Sequence, residues 1–239
     1  RIVEISDGQM QVLWLDEAVL CSEPDEWPTC SVLWTLYSID LPLDKLKAYV
    51  NRTKAFELNA VSGLVSLNDR RHMLRECVKC GIPVPEYVEC NWSGTDQPHL
   101  EESLDHIVVN GVRLDKPFVE KPVDARCSDI CIYYPQAAGG GRAQFDHVER
   151  MWGRTTVDAG SQRVRRDGSY IYTRFIPSEG FDMRLLVAGS GYVHAEAMHA
   201  LHRKADEDSS CIGCVPILLE AEEKQLAQRA RLAFGQASF

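Results

Sequence analysis

The residues whose types and spacing could do chemistry begin at Lys116-Pro117-Phe118-Val119-Glu120-Lys121-Pro122-Val123. They continue through Ile132-Tyr133-Tyr134-Pro135 to Gly139-Gly140-Gly141. A lysine in an apolar strand is costly to bury unless a charge meets it. Phe118 and Val119 make this stretch apolar, and Lys121 stands between Glu120 and Pro122, where the strand ends. Three consecutive glycines soon afterwards supply a backbone able to close over an anion with its amides. A strand lysine with a glycine-rich flap is one way of holding the phosphates of ATP. The same spacing also suits a plain antiparallel hairpin with a flexible tip, so on these residues alone both readings stand.

The composition narrows what such a site would take. With 239 residues, 45% of them hydrophobic, the chain can bury one sizeable core or two small ones. A net charge of −9 argues against a general nucleic-acid binder. The arginines are concentrated, however: Arg142, Arg150, Arg154, Arg163, Arg165, Arg166 and Arg174 share one stretch with four acids. A basic island in an acidic chain suits a small polyanion, and a solvated loop is the alternative. Nine cysteines cannot all pair, and no signal-like segment opens the chain, so reduced thiols in the cytosol are expected. Cys77-x-x-Cys80 and Cys211-x-x-Cys214 would together make a four-thiolate zinc site, although Cys77 and Cys80 fall in a helical pattern. No apolar run approaches the length that a bilayer needs, so no membrane insertion is expected.

The elements that must position these residues follow from periodicity. Residues 12–15 and 19–20 read as short strands around a turn at Asp16-Glu17. Asp44 caps a short helix to Tyr49, and Asp69 caps a second, with Met73, Leu74, Cys77 and Val78 on one face and Gly81 and Pro83 stopping it. Residues 87–90 form a strand, and 91–103 a polar loop. Asn110-Gly111 marks a type I′ hairpin. Strands are expected at 118–121, 130–134, 170–175, 183–187 and 192–198, with Gly189-Ser190-Gly191 turning the last pair and a helix over 218–234. The class is α+β: a mixed α/β part followed by a mainly antiparallel sheet with helices.

Many of these residues carry a resemblance. Residues 14–49, with Glu23-Pro24-Asp25-Glu26-Trp27-Pro28 and Pro42-Leu43-Asp44-Lys45, resemble the diphosphoinositol pentakisphosphate kinases of the Vip type, an ATP-grasp family. Asp69-Arg70-Arg71, the motif at 116–123, Ile132-Tyr133-Tyr134-Pro135, Gly168-Ser169-Tyr170-Ile171-Tyr172 and His194-Ala195-Glu196-Ala197 do so too. The order and spacing match through nearly the whole chain. The resemblance implies an ATP-grasp-like fold, with residues 1–65 a partial α/β region and 66–239 the kinase core. It also implies phosphoryl transfer from ATP, with magnesium, onto inositol hexakisphosphate or a diphosphoinositol pentakisphosphate. Transfer between two anions needs charge neutralisation more than covalent help. By resemblance, Lys121 and Arg70 contact ATP phosphates, Thr173, Arg174, Phe175 and Ile176 meet the adenine through main-chain groups, and Asp182 lies by the ribose. Arg150, Arg154 and Arg184 face the inositol polyphosphate.

The chain also departs from that family. Ser128 replaces a histidine and Glu149 falls at an arginine position. Met198-His199-Ala200-Leu201 replaces Arg-Lys-Ser-Pro, and Tyr37-Ser38-Ile39-Asp40 replaces His-Ser-Lys-Gly. Each change removes a cation or a polar contact near phosphate. The family's metal-binding aspartate and Asp-x-Asn motif are expected after Phe239, and its paired lysines before Arg1. The chain is therefore expected to be a piece of a longer kinase, unable to catalyse by itself. The alternatives are a pseudokinase that binds nucleotide or inositol polyphosphate without turnover, and a zinc-stabilised interaction domain.

Overall fold

The computed structural model describes residues 8–36, 40–92, 97–127, 129–148, 151–158, 163–178, 181–199 and 215–236. Residues 12–15 form no strand there; Trp14 is 85% exposed. Residues 19–20 belong instead to helix α1 (Glu17–Cys21), because the Asp16 carboxylate accepts from the Val19 amide at 3.0 Å and caps a helix rather than closing a turn. A 3₁₀ turn at Pro24–Glu26 leads to β1 (Val32–Leu33), α2 (Leu43–Thr53) and β2 (Phe56–Glu57). The two short strands pair in parallel across α2, whose Leu46 and Tyr49 are buried with Trp27 and Leu33. Asp44 lies inside the first turn of α2, Pro42 is its cap residue, and the helix runs past Tyr49 to a left-handed Lys54.

Helix α3 (Val61–Leu67) has no counterpart in the sequence expectation. It exists by tertiary packing: a Cβ built on Gly63 would meet the Phe234 carbonyl oxygen at 1.8 Å, so only glycine allows this approach. Helix α4 (Arg70–Lys79) opens on Asp69, which accepts from the Arg71 amide at 2.8 Å, and ends before a left-handed Gly81. Strand β3 (Tyr87–Cys90) stands where expected. The polar loop expected over 91–103 contains β4 (Leu100–Glu102), since Leu100 packs on the main core. Strands β5 (His106–Val109) and β6 (Val112–Asp115) flank Asn110 and Gly111, both at positive φ as a type I′ turn requires.

Strands β7 (Phe118–Pro122), β8 (Ile130–Tyr133), β9 (Arg142–Val148), β10 (Met151–Asp158) and β11 (Tyr170–Arg174) follow. The arginine-rich stretch is thus no solvated loop over its first part, because β9 and β10 form a long antiparallel hairpin with a bulge after Arg154. The main sheet has the order β10-β9-β8-β7-β11-β3, antiparallel throughout, with β4-β5-β6 a separate three-stranded sheet. Strands β12 (Phe181–Ala188), β13 (Tyr192–His199) and β14 (Val215–Ile217) form another sheet. Helix α5 (Ala221–Ala233) begins with a capping box of Glu220 and Glu223. It straps the molecule together: Gln228 donates to the Gly189 carbonyl and Arg229 to that of Gly81. The α+β class, with a mixed α/β N-terminal part and mainly antiparallel sheets after it, is what the chain has. No helix among the described residues is long and apolar enough to cross a membrane.

Candidate functional site

Alternation along β7 assigns its side chains to two faces. Phe118 and Glu120 enter the main core with Tyr133, Tyr170 and Tyr172. Val119 and Lys121 take the opposite face, beside Ile132 on β8 and Ile171 on β11. On that face Ile132 and Ala143 make a buried apolar floor with Val119, Tyr134 and Phe175 packed around it. Nearer β3 the face is closed by α4, whose Leu74 meets Ile171 and Val123. An apolar floor ending in a lysine can carry a flat base and an attached anion, the two halves of a nucleotide.

Lys121 has no hydrogen bond or ion pair to any described residue. Burial pushes its pKa down, and the nearby Arg70 charge pushes it further. The Arg70 guanidinium is held differently, as a clamp on the loop after β7. Its Nη1 donates to the Pro122 and Asp124 carbonyls at 2.6 and 2.7 Å, and Nη2 to those of Ala125 and Cys127 at 3.4 and 3.1 Å. Two cations thus stand together at the end of the apolar floor, one neutralised by backbone dipoles and one left to find a partner. Arg71 is spent elsewhere, paired with Asp69 and donating to Asn91 at 2.8 Å; it holds the Asp69 carboxyl below its usual range.

Glycines 139 to 141 all have positive φ and join β8 to β9. The amides of Gly139 and Gly140 turn back on the Gln136 and Pro135 carbonyls, at 3.0 Å each, so those two are not bare toward an anion. Thr173 is buried in the middle of the sheet, whereas Arg174 and Ile176 are exposed. The Arg174 amide donates to Glu86 at 2.8 Å and the Phe175 amide to Pro117 at 3.1 Å. Both donors are thereby used within the fold, and an adenine at this edge would draw on other main-chain groups. Asp182 and Arg184 are exposed two residues apart on β12, one face of the strand, opposite Met198 and Glu196. Arg154 lies on β10 opposite Phe145.

Arg150 lies outside the described residues, as do Tyr37, Ser38, Ile39, Ser128, Glu149, Ala200 and Leu201. Cys211 and Cys214 do too, while Cys77 and Cys80 sit at the end of α4 as free thiols. No group of three or more His, Cys, Asp or Glu among the described residues could hold a metal ion.

One constellation escaped sequence reasoning. Glu120, 0% exposed, accepts from the Arg165 Nε at 2.5 Å and the Arg165 amide at 3.0 Å. Arg165 also donates to the Asp129 carboxylate and carbonyl and lies 4.6 Å over the Tyr170 ring. Burial pushes Glu120 up and works against the charge on Arg165, but the pair raises the Arg165 pKa above that of an ordinary arginine. The signal was present: Glu120 is in phase with the apolar Phe118, and an acid in that phase requires a buried cation.

No family model matches the chain. It is 36% identical over 230 residues to inositol hexakisphosphate and diphosphoinositol-pentakisphosphate kinase 2 of Xenopus laevis, covering 94% of this chain and 20% of that protein. The corresponding kinase of Arabidopsis thaliana is 36% identical over 242 residues, 97% of this chain and 23% of its own length. The kinase of Saccharomyces cerevisiae is 31% identical over 222 residues, 82% and 19%. Among solved structures, N5-carboxyaminoimidazole ribonucleotide synthetase in its ADP complex aligns over 86% of this chain and 47% of its own, with TM-score 0.49 and 12% identity. The ATP-grasp ligase PsnB aligns over 82% and 52%, with TM-score 0.49 and 13% identity. The chain spans about a fifth of the length of the curated relatives it matches. Over nearly all of its own length, then, this chain is similar to one segment of the inositol hexakisphosphate and diphosphoinositol-pentakisphosphate kinases, the family its motifs resemble.

Proposed function

We propose that this chain is the nucleotide-gripping part of an ATP-dependent kinase of the inositol pyrophosphate pathway. The kinase transfers phosphate to inositol hexakisphosphate or diphosphoinositol pentakisphosphate and so makes a pyrophosphate. Residues 66–239 are its core and 1–65 a partial α/β region before it. The observation that carries the reading is Lys121: an ammonium beside a second cation, at the end of an apolar floor, with no acid among the described residues to meet it. Such a charge is costly in the free protein and is repaid by phosphate.

In this reading Lys121 takes ATP phosphates, while Arg70 fixes the loop beside it and adds positive potential. The edge at Thr173, Arg174, Phe175 and Ile176 meets the adenine, and Asp182 the ribose. Arg150, Arg154 and Arg184 hold the inositol polyphosphate. Magnesium, held by residues other than the described ones, would neutralise charge on the transferring phosphates. The seven free cysteines among the described residues support the cytosol as the compartment.

The test is calorimetry of ATP binding to the full-length protein and its Lys121→Ala variant. A charge-assisted phosphate contact contributes about 1.5–3 kcal/mol, so affinity should fall roughly ten- to a hundredfold. Equal affinities for the two proteins would overturn the role of Lys121 and with it this reading.

A further inference from the structure

Resting on the nucleotide reading above, we infer that Arg165 is a positioning residue for Lys121: together with Glu120 and Tyr170 it pins strand β7 on both sides of the lysine, and so sets where the ammonium meets phosphate. Glu120 immediately precedes Lys121 and takes two donors from Arg165, one from its side chain and one from its backbone. Pro122 immediately follows and lies in register with Tyr170, on whose ring the Arg165 guanidinium stacks. The arginine is itself fixed from a third side by Asp129, whose other oxygen receives Gln144 of β9 at 3.0 Å. Arg165 therefore ties β7, the residue before β8 and β11 directly, and β9 through Asp129, to a common point behind the lysine.

The strand matters here because the side chain of Lys121 has no partner among the described residues. A lysine held by a carboxylate keeps its direction when the backbone shifts slightly. Lys121 is directed by its strand alone, so a small slip of β7 moves the ammonium with it. The effect of Arg165 runs through position rather than charge. It faces the opposite side of the sheet, and its own charge is matched by Glu120 and Asp129. Arg70 completes the bracket by holding the Pro122 carbonyl from the other side.

A double-mutant cycle on the full-length protein tests this, with ATP affinity read by calorimetry at a temperature where circular dichroism shows every variant folded. Arg165→Lys keeps the charge but cannot reach Glu120, Asp129 and the Tyr170 ring together. It should weaken ATP binding about tenfold. In a Lys121→Ala background the same change should alter affinity less than about twofold, because the residue through which it acts is gone. Glu120→Gln preserves the shape and should give the same pattern more weakly, which keeps the test open if Arg165→Lys does not fold. Equal losses in both backgrounds, or a folded Arg165→Lys protein with unchanged affinity, would overturn the positioning role. If the unaltered protein binds no ATP, it is the nucleotide reading that fails; binding with an additive cycle removes the positioning role alone.

Discussion

Glu120 and Lys121 are neighbours on one strand, and the molecule treats their charges in opposite ways. The acid is fully buried, yet an arginine side chain and a backbone amide meet it. The base stands on the other face with no ion pair among the described residues, and the charge that acts on it is a second cation, Arg70. A compensated buried charge is architecture: its cost is settled within the fold, whatever else binds. An uncompensated one is a standing deficit that a ligand of opposite sign removes. Glu120 is fully buried and Lys121 half-buried, but the larger difference lies in whether the fold supplies a partner. The same contrast separates Arg70, whose donors end on four carbonyls, from Lys121 beside it.

The contrast breaks most visibly in stability. Arg165→Met strands a buried carboxylate and should cost about 3–5 kcal/mol by urea denaturation. Adding Glu120→Gln removes the stranded charge and should recover a large part of that loss. Lys121→Met should cost nothing measurable or stabilise the protein, because it deletes a half-buried charge that no described residue satisfies. If the arginine change costs less than about 1 kcal/mol, Glu120 has found another partner and its charge is not settled by Arg165.

A finer test uses pH. The Lys121 pKa is lowered by burial and by Arg70, whereas in the unfolded chain it returns to its ordinary value of about 10.4. Between the lowered value and the ordinary one, the unfolded state binds more protons, so the lysine's contribution to stability grows as pH rises through that window. ATP affinity should move the other way, because phosphate binds the protonated form and the folded protein sheds that proton early. Lys121→Arg stays charged throughout and should flatten the affinity profile. Parallel profiles for lysine and arginine would mean that this ammonium does not contact phosphate.

How much of this was legible in the sequence depends on what each element rests on. Helix α4, the Asn110-Gly111 turn and β7 announce themselves locally, through a cap, a turn dipeptide and an apolar run. Helix α3 does not, since Gly63 is there for the sake of Phe234, far along the chain. The reading of residues 12–15 as a strand failed because a short apolar run supplies no partner strand to pair with. In the candidate site the lysine and its apolar surroundings were readable from type and phase. The Arg165 network was not, because its members are scattered from Glu120 to Tyr170 and only the antiparallel pairing of β7 with β8 and β11 brings them together. Spacing also overstated the glycines: their left-handed backbone serves a turn that uses two of the three amides itself.

The smallest effect is expected at Arg174, where side chain and main chain have separate tasks. The side chain is well exposed, and its nearest acid, Glu86, lies 3.8 Å away with 55% of its own side chain exposed. Pairs of that kind contribute little, and salt screens them. The Arg174 amide, by contrast, donates to the Glu86 carbonyl at 2.8 Å and so joins the end of β11 to the chain before β3. Arg174→Ala keeps that bond and should change stability by less than about 0.5 kcal/mol and ATP affinity by less than about twofold. Arg174→Pro removes the N–H, and with it a hydrogen bond at the edge where adenine is proposed to sit. It should cost about 1–3 kcal/mol of stability, and nucleotide affinity should fall with it. A tenfold loss of ATP affinity in Arg174→Ala would reverse that order. It would mean that the guanidinium itself reaches the nucleotide, and that this edge of the site recognises its ligand through a side chain rather than the backbone.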